Sequence, residues 1–138
     1  MEKTILSTEK APAAIGPYSQ GIEAGNFVFC SGQLPINPAT GERPEDIKAQ
    51  TEASIANVKA VLEAAGSSLC KVVKTTCFLA DISDFASFNK TFTSLEVFFQ
   101  ASSSFYADKW YTGIPNSKSR IIPWAIFQNW QVSWISYP

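Results

Sequence analysis

The feature that most constrains this chain is a long stretch of helical spacing set between two strand-like runs. From Asp46 to Ala65 the apolar positions Ile47, Ile55, Val58, Leu62 and Ala65 fall three, four or eight apart, the intervals that return side chains to one face of an α-helix. Gly66 follows where a left-handed C-cap belongs. Glu42, Glu45 and Asp46 stand at the other end, where acids ordinarily complement the helix dipole rather than hold a cation. Upstream, Asn26 to Leu34 reads as a strand: its apolar run Phe27-Val28-Phe29-Cys30 is continuous, as in a strand covered on both faces. Gly25-Asn26 gives a turn before it, and Gly32, Pro35 and Pro38 stop it. Downstream, Val72 to Leu79 is rich in β-branched residues and predicts another strand. Phe85, Phe88, Phe92, Leu95 and Phe99 then mark a second helix by their 3-4-3-4 spacing. Strand, helix, strand, helix is an α+β order.

The flanks are less regular. Thr4 to Ser7 is a short strand, Ala11-Pro12 to Gly16-Pro17 a loop ending in Tyr18-Ser19-Gln20-Gly21, and Ser102-Ser103-Ser104 a loop after the second helix. The last third changes character, with all four tryptophans between Trp110 and Trp134 and Asp108 the only acid after Glu96. Trp130 to Trp134 alternates as a half-buried strand does, whereas Tyr111 to Ser119 reads as an irregular loop.

With 138 residues and 46% apolar content, one domain with a single core is expected. The start of the chain carries Glu2 and Glu9 and has no apolar run suited to a leader, and no stretch is long and apolar enough for a membrane span. Cys30, Cys70 and Cys77 are therefore expected to be reduced, buried small hydrophobes of a cytoplasmic protein, with no C-x-x-C spacing for a metal. The net charge of -1, with basic residues scattered singly, provides no footprint for nucleic acid. Histidine is absent. That removes the usual neutral-pH general base, the Ser/His and Cys/His pairs and most catalytic zinc sites.

Three segments carry a further signal: Ala11-Pro12-Ala13-Ala14-Ile15-Gly16-Pro17-Tyr18-Ser19-Gln20, Cys30-Ser31-Gly32-Gln33-Leu34-Pro35-Ile36-Asn37-Pro38, and Val72-Val73-Lys74-Thr75-Thr76-Cys77-Phe78-Leu79-Ala80-Asp81. In order and separation they resemble the signature stretches of the Rid (YjgF/RidA-type) family, and Asp84 to Asn89 continues the match. The resemblance covers residues 1–99 of a single domain and leaves 100–138 as a divergent tail. It implies a chorismate-mutase-like fold, a mixed β-sheet with two helices on one face, assembled as a homotrimer with ligand clefts between protomers. It also implies hydrolysis of 2-imino acids such as 2-iminobutanoate and 2-iminopropanoate to 2-oxo acids and ammonia, disposing of reactive intermediates without cofactor or metal. An imine hydrolyses unaided, so such a protein needs mainly to fix the carboxylate, hold a water and stabilise the developing amine.

The resemblance places Tyr18 in the ligand cleft, Ser31 and Gly32 at its floor and Asn89 at its rim. In the family an arginine of a Pro-Ala-Arg-Ser/Thr motif clamps the carboxylate by two parallel bonds, and a glutamate of the final strand helps to place the water. This chain has neither: past Phe99 it reads Gln100-Ala101-Ser102-Ser103-Ser104. No catalytic residue is assigned, and Arg120, over a dozen residues late, is the candidate for a displaced clamp or a plain surface charge. Deaminase activity is accordingly expected to be impaired, the alternative being a non-catalytic binder of small carboxylates. Codons read one base earlier from Phe127 can encode Leu-Pro-Lys-Leu-Ala-Gly-Val-Val-Asp-Ile, similar to the family's final-strand motif. That predicts a change of reading frame behind the tail, checkable in the coding DNA, although the same shift does not restore Pro-Ala-Arg upstream of Arg120.

Overall fold

The computed structural model describes residues 1–95, together with the backbone strands 102–107 and 134–136. Strands β1 (Lys3–Leu6), β2 (Gly21–Ala24) and β3 (Phe27–Cys30) precede helix α1 (Ile47–Ala64). Strand β4 (Val72–Leu79), helix α2 (Phe85–Ser94), β5 (Ser102–Ala107) and β6 (Trp134–Ser136) follow. They form one six-stranded sheet in the order β1-β2-β3-β6-β4-β5. Only β4 and β5 run parallel, and α2 supplies the crossover that a parallel pair requires. The expected α+β class with a mixed sheet and two helices is what the structure has.

The ends of α1 explain its precision. The Asp46 side chain accepts from the Ala49 backbone N–H at 3.0 Å, satisfying one of the orphan donors of the first turn. At the far end Gly66 takes φ +71°. The Gly66 and Ser67 N–H groups donate to Glu63 and Leu62 carbonyls at 3.0 and 2.9 Å, the paired bonds of a Schellman motif. The same conformation, φ +59° at Gly25, turns β2 into β3.

Register sorts the two faces of the sheet. Leu6, Gly21 and Cys30 are paired in one row, and a Cβ at Gly21 would lie 2.9 Å from Val61 Cγ1 of α1. This row therefore faces the helices, and only glycine lets β2 approach α1 so closely. On β4, Val72, Thr75, Cys77 and Leu79 are buried. A register shift between Val72 and Lys74 accounts for the three-residue step, because an irregular extra residue returns the strand to the same face. Val61, Leu62, Val58, Phe88 and Phe92 complete the core.

Several expectations change. The strand expected over Asn26–Leu34 ends at Cys30, and just beyond it the Ser31 N–H and hydroxyl both donate to the Gln20 carbonyl, at 3.0 and 2.9 Å. It is covered on one face: Val28 and Cys30 are buried, while Phe27 is 46% exposed. The first strand lies one residue earlier than Thr4–Ser7. Four-residue β2 is too short to show a period and escaped the sequence reading. Ser102–Ser104 belongs to β5 rather than a loop, and Cys70 is exposed rather than buried. Phe99, the loop expected over Tyr111–Ser119 and residues 130–133 of the expected Trp130–Trp134 strand lie outside the described residues. Among the described residues no helix is long and apolar enough to cross a membrane.

Candidate functional site

Two loops leave the strands on the same side and enclose a cleft of about 330 Å³. The first wall is the loop between β1 and β2, which contributes Pro12, Ala13, Ile15 and Tyr18. Its proline and glycine content keeps it out of the sheet, and the Tyr18 N–H closes a tight turn onto the Gly16 carbonyl at 2.8 Å. The second wall is the loop from β3 to α1, which contributes Gly32, Leu34, Ile36, Asn37 and Gly41 among others. Asn37 organises its tip: its side chain accepts from the Ala39 N–H at 2.9 Å and its carbonyl from the Gly41 N–H at 2.8 Å. Gly41 meets this with φ +73°.

Tyr18 and Gly32 therefore line one cleft from opposite walls. A Cβ at Gly32 would meet no heavy atom within 4 Å, so the absence of a side chain leaves the backbone open there. Ser31 is one residue back, and its hydroxyl is engaged with the Gln20 carbonyl; Gln33 Nε2 donates to the Ser31 carbonyl at 3.1 Å. Asn89 is half-buried on α2 and is not among the residues lining this cleft. Arg120 lies outside the described residues. Apart from the hydroxyl of Tyr18 and the amides of Gln33 and Asn37, the side chains lining the cleft are apolar, and none is charged. Such a site can enclose a small aliphatic group and orient it by a few polar contacts.

The thiols stand apart. Burial pushes Cys30 and Cys77 up to about 12, which keeps both protonated and unreactive at neutral pH. Cys70 places its Sγ 3.0 Å from the Ser68 hydroxyl at the surface. Among the described residues no three His, Cys, Asp or Glu side chains come together as a metal site would require.

Three amides beneath the walls were not singled out from the sequence. Gln20, Gln50 and Asn57 are all buried and bond to loop backbone, Gln50 Nε2 to the Pro44 carbonyl at 2.9 Å and Asn57 Nδ2 to Leu34 and Ile36 carbonyls at 2.8 and 2.9 Å. Their signal was visible: Gln50, Ser54 and Asn57 repeat at four and three along α1, a polar stripe beside the apolar one.

The known proteins to which the chain is similar point one way. The family model described as Endoribonuclease L-PSP matches residues 8–103. The 2-iminobutanoate/2-iminopropanoate deaminase of Escherichia coli K12 is 54% identical over 99 residues, covering 72% of this chain and 74% of that protein. The crystal structure of the Escherichia coli YjgF gene product superposes with a TM-score of 0.79 at 37% identity, covering 97% of this chain and 98% of that one. Escherichia coli TdcF, solved with bound serine, has the same TM-score at 33% identity and covers 98% of each chain. On the family match and the 54% identity together, this chain belongs to the Endoribonuclease L-PSP family, the Rid (YjgF/RidA) group of proteins.

Proposed function

We propose that the chain binds small 2-imino and 2-oxo acids in the cleft between Tyr18 and Gly32 and hydrolyses 2-imino acids to 2-oxo acids and ammonia. The observation that carries this reading is the placement of Tyr18 and Gly32 on opposite walls of one cleft, in a chain 54% identical to a protein named as such a deaminase. Ile15, Leu34 and Ile36 suit the aliphatic side chain of the substrate. The Tyr18 hydroxyl orients the polar end, and the open backbone at Gly32 lets the reacting carbon come close. Ser31 and Gly32 form the floor and Asn89 the rim in the assembled protein. Arg120 stands as a displaced partner for the carboxylate.

The rate is expected to be low, because a bidentate arginine after α2 is missing from the sequence and a positioned carboxylate is most of what imine hydrolysis needs. The physiological role is disposal of reactive imines in the cytoplasm, by a protein that uses neither cofactor nor metal and has no nucleic acid or membrane partner. A homotrimer fits the open face of the sheet. Ile5, Ile22 and Phe29 form a row across three strands there, and Ile5 is 67% exposed, an apolar surface of the kind that partners cover.

The test generates 2-iminobutanoate with a threonine dehydratase and follows ammonia release, with the Escherichia coli relative alongside. Release faster than in buffer supports the deaminase; a rate equal to buffer leaves the second reading, a non-catalytic binder of small carboxylates, which the missing Pro-Ala-Arg segment favours. Calorimetric titration with 2-oxobutanoate separates that binder from an empty fold. Light scattering checks the trimer, which should have the mass of three chains of 15.1 kDa.

A further inference from the structure

A buried carboxamide bonds from below to the part of each wall that lines the cleft. Gln20 is 4% exposed. Its Oε1 accepts from the Thr8 N–H at 2.6 Å, while its Nε2 faces the carbonyls of Thr8, Ala11 and Pro12 at 3.0, 3.2 and 2.8 Å. The orientation of the amide follows from chemistry: an N–H can meet only the oxygen, and three carbonyls can meet only the nitrogen. The backbone carbonyl of the same residue accepts both the N–H and the hydroxyl of Ser31. Gln20 thus ties the start of the Pro12–Tyr18 wall to the strand end from which the Gly32 wall departs. Asn57, 4% exposed on α1, holds the second wall through the Leu34 and Ile36 carbonyls.

Neither amide lines the cleft, and neither bonds within a helix or strand ladder. A buried amide is costly unless its polar atoms are paired. Both are instead paired with the backbone of the irregular segments whose positions define the cleft, segments with no ladder of their own to fix them. We infer that Gln20 and Asn57 are positioning residues that set the separation of the two walls, and with it the place of Tyr18 relative to Gly32. This rests on the proposed function in so far as the cleft is the ligand site. The consequence is asymmetric: losing Gln20 releases the Thr8–Tyr18 wall, and losing Asn57 releases the Leu34–Ile36 wall, while the core beneath stays ordered.

The experiment compares Gln20→Met and Asn57→Leu with Thr51→Val. Thr51 is equally buried and loses one hydrogen bond, from its hydroxyl to the Ile47 carbonyl at 2.7 Å, but it does not line or hold a cleft wall. Hydrogen exchange of the full chain is read for segments 8–19 and 33–38 against α1 and β4, together with the dissociation constant for 2-oxobutanoate. Exchange should rise about tenfold or more in 8–19 for Gln20→Met and in 33–38 for Asn57→Leu, with α1 and β4 protected as in Thr51→Val. Affinity should fall by about tenfold in both, since small misplacements in a site have effects of this size or larger. Wall exchange no faster than in Thr51→Val overturns the inference. So does failure of both wall variants to fold while Thr51→Val folds, because the amides then support the whole fold rather than the walls. If the unaltered protein binds no 2-oxobutanoate, the functional reading fails, and wall exchange alone decides the positioning roles.

Discussion

Residues 1–95 carry the described core side chains and both walls of the cleft, whereas the chain beyond them contributes β6, the strand through which the two halves of the sheet meet. Strand β6 pairs with β3 on one side and β4 on the other, yet the family model stops matching at residue 103. The two facts are compatible because strand pairing is made by backbone N–H and C=O groups that every residue except proline supplies. A divergent sequence can therefore occupy a central strand. It cannot in the same way replace an arginine fork or a water-placing carboxylate, which are properties of particular side chains. Strand pairing and side-chain chemistry thus make different demands on a sequence, and only the second depends on which residues a strand carries.

The largest effect expected from this comparison is that of ending the chain at Ser103. Strand β3 would lose β6, and β4 would lose both β6 and most of β5, leaving a three-stranded piece and an isolated strand under α1 and α2, neither with a closed ladder. Calorimetry should show loss of the cooperative thermal transition; a transition within about 3 °C of the full chain would mean that the first 103 residues hold the sheet together unaided. Next in size is Leu62→Ala. Leu62 of α1 is fully buried in the core, so the substitution should cost about 2–5 kcal/mol in urea unfolding. A cost below about 1 kcal/mol would show that the core collapses freely around the gap.

How much of this was legible follows the same difference. Helix α1 was readable to within a residue because its signals are local: acids at its start, an apolar stripe and Gly66 at its end. Strand β4 was readable from β-branched composition and kept its limits. Strand β2 was not, since Gly21-Ile22-Glu23-Ala24 is too short for a period and exists because its partner rows accept it. Ser102–Ser104 has loop composition but pairs in parallel with Lys74–Thr76, tertiary context overriding propensity. Of the site, Tyr18 and Gly32 came from a motif, and Asn57 left only the polar spacing of Gln50, Ser54 and Asn57 along α1, while Gln20 needed coordinates, because a buried amide in a loop reads in sequence like an exposed one.

The thiols report on the same core by chemistry. Cys30 and Cys77 have folded values raised by burial from 9.0 to about 12. Folding thus favours the protonated thiol, and this contribution is fully present below pH about 9 and lost as pH rises toward 12. A maleimide at pH 7 should label Cys70 in the native protein and reach Cys30 and Cys77 only under denaturant, and urea midpoints should fall between pH 9 and pH 11. Rapid native labelling of all three would contradict the burial. A smaller effect belongs to Gly66→Ala, which forces a Cβ into φ +71° and should cost about 1 kcal/mol. A null result in urea unfolding would mean that the end of α1 can relax without the left-handed turn.

The smallest expected stability change separates the scaffold from the site. Gly32 is not among the glycines with positive φ, and a Cβ there would find open space, so Gly32→Ala should unfold within about 0.5 kcal/mol of the parent. The new methyl nonetheless occupies part of the cleft that Gly32 lines opposite Tyr18. A ligand held between those two residues then loses close backbone approach, and the dissociation constant for 2-oxobutanoate should rise several-fold while the melting temperature stays put. Chemical-shift changes at the Tyr18 ring on titration should shrink in parallel. Should the variant bind 2-oxobutanoate as the parent does, with Tyr18 responding equally, the ligand sits elsewhere, and residues 1–95 supply the frame of the protein without the working face of its cleft.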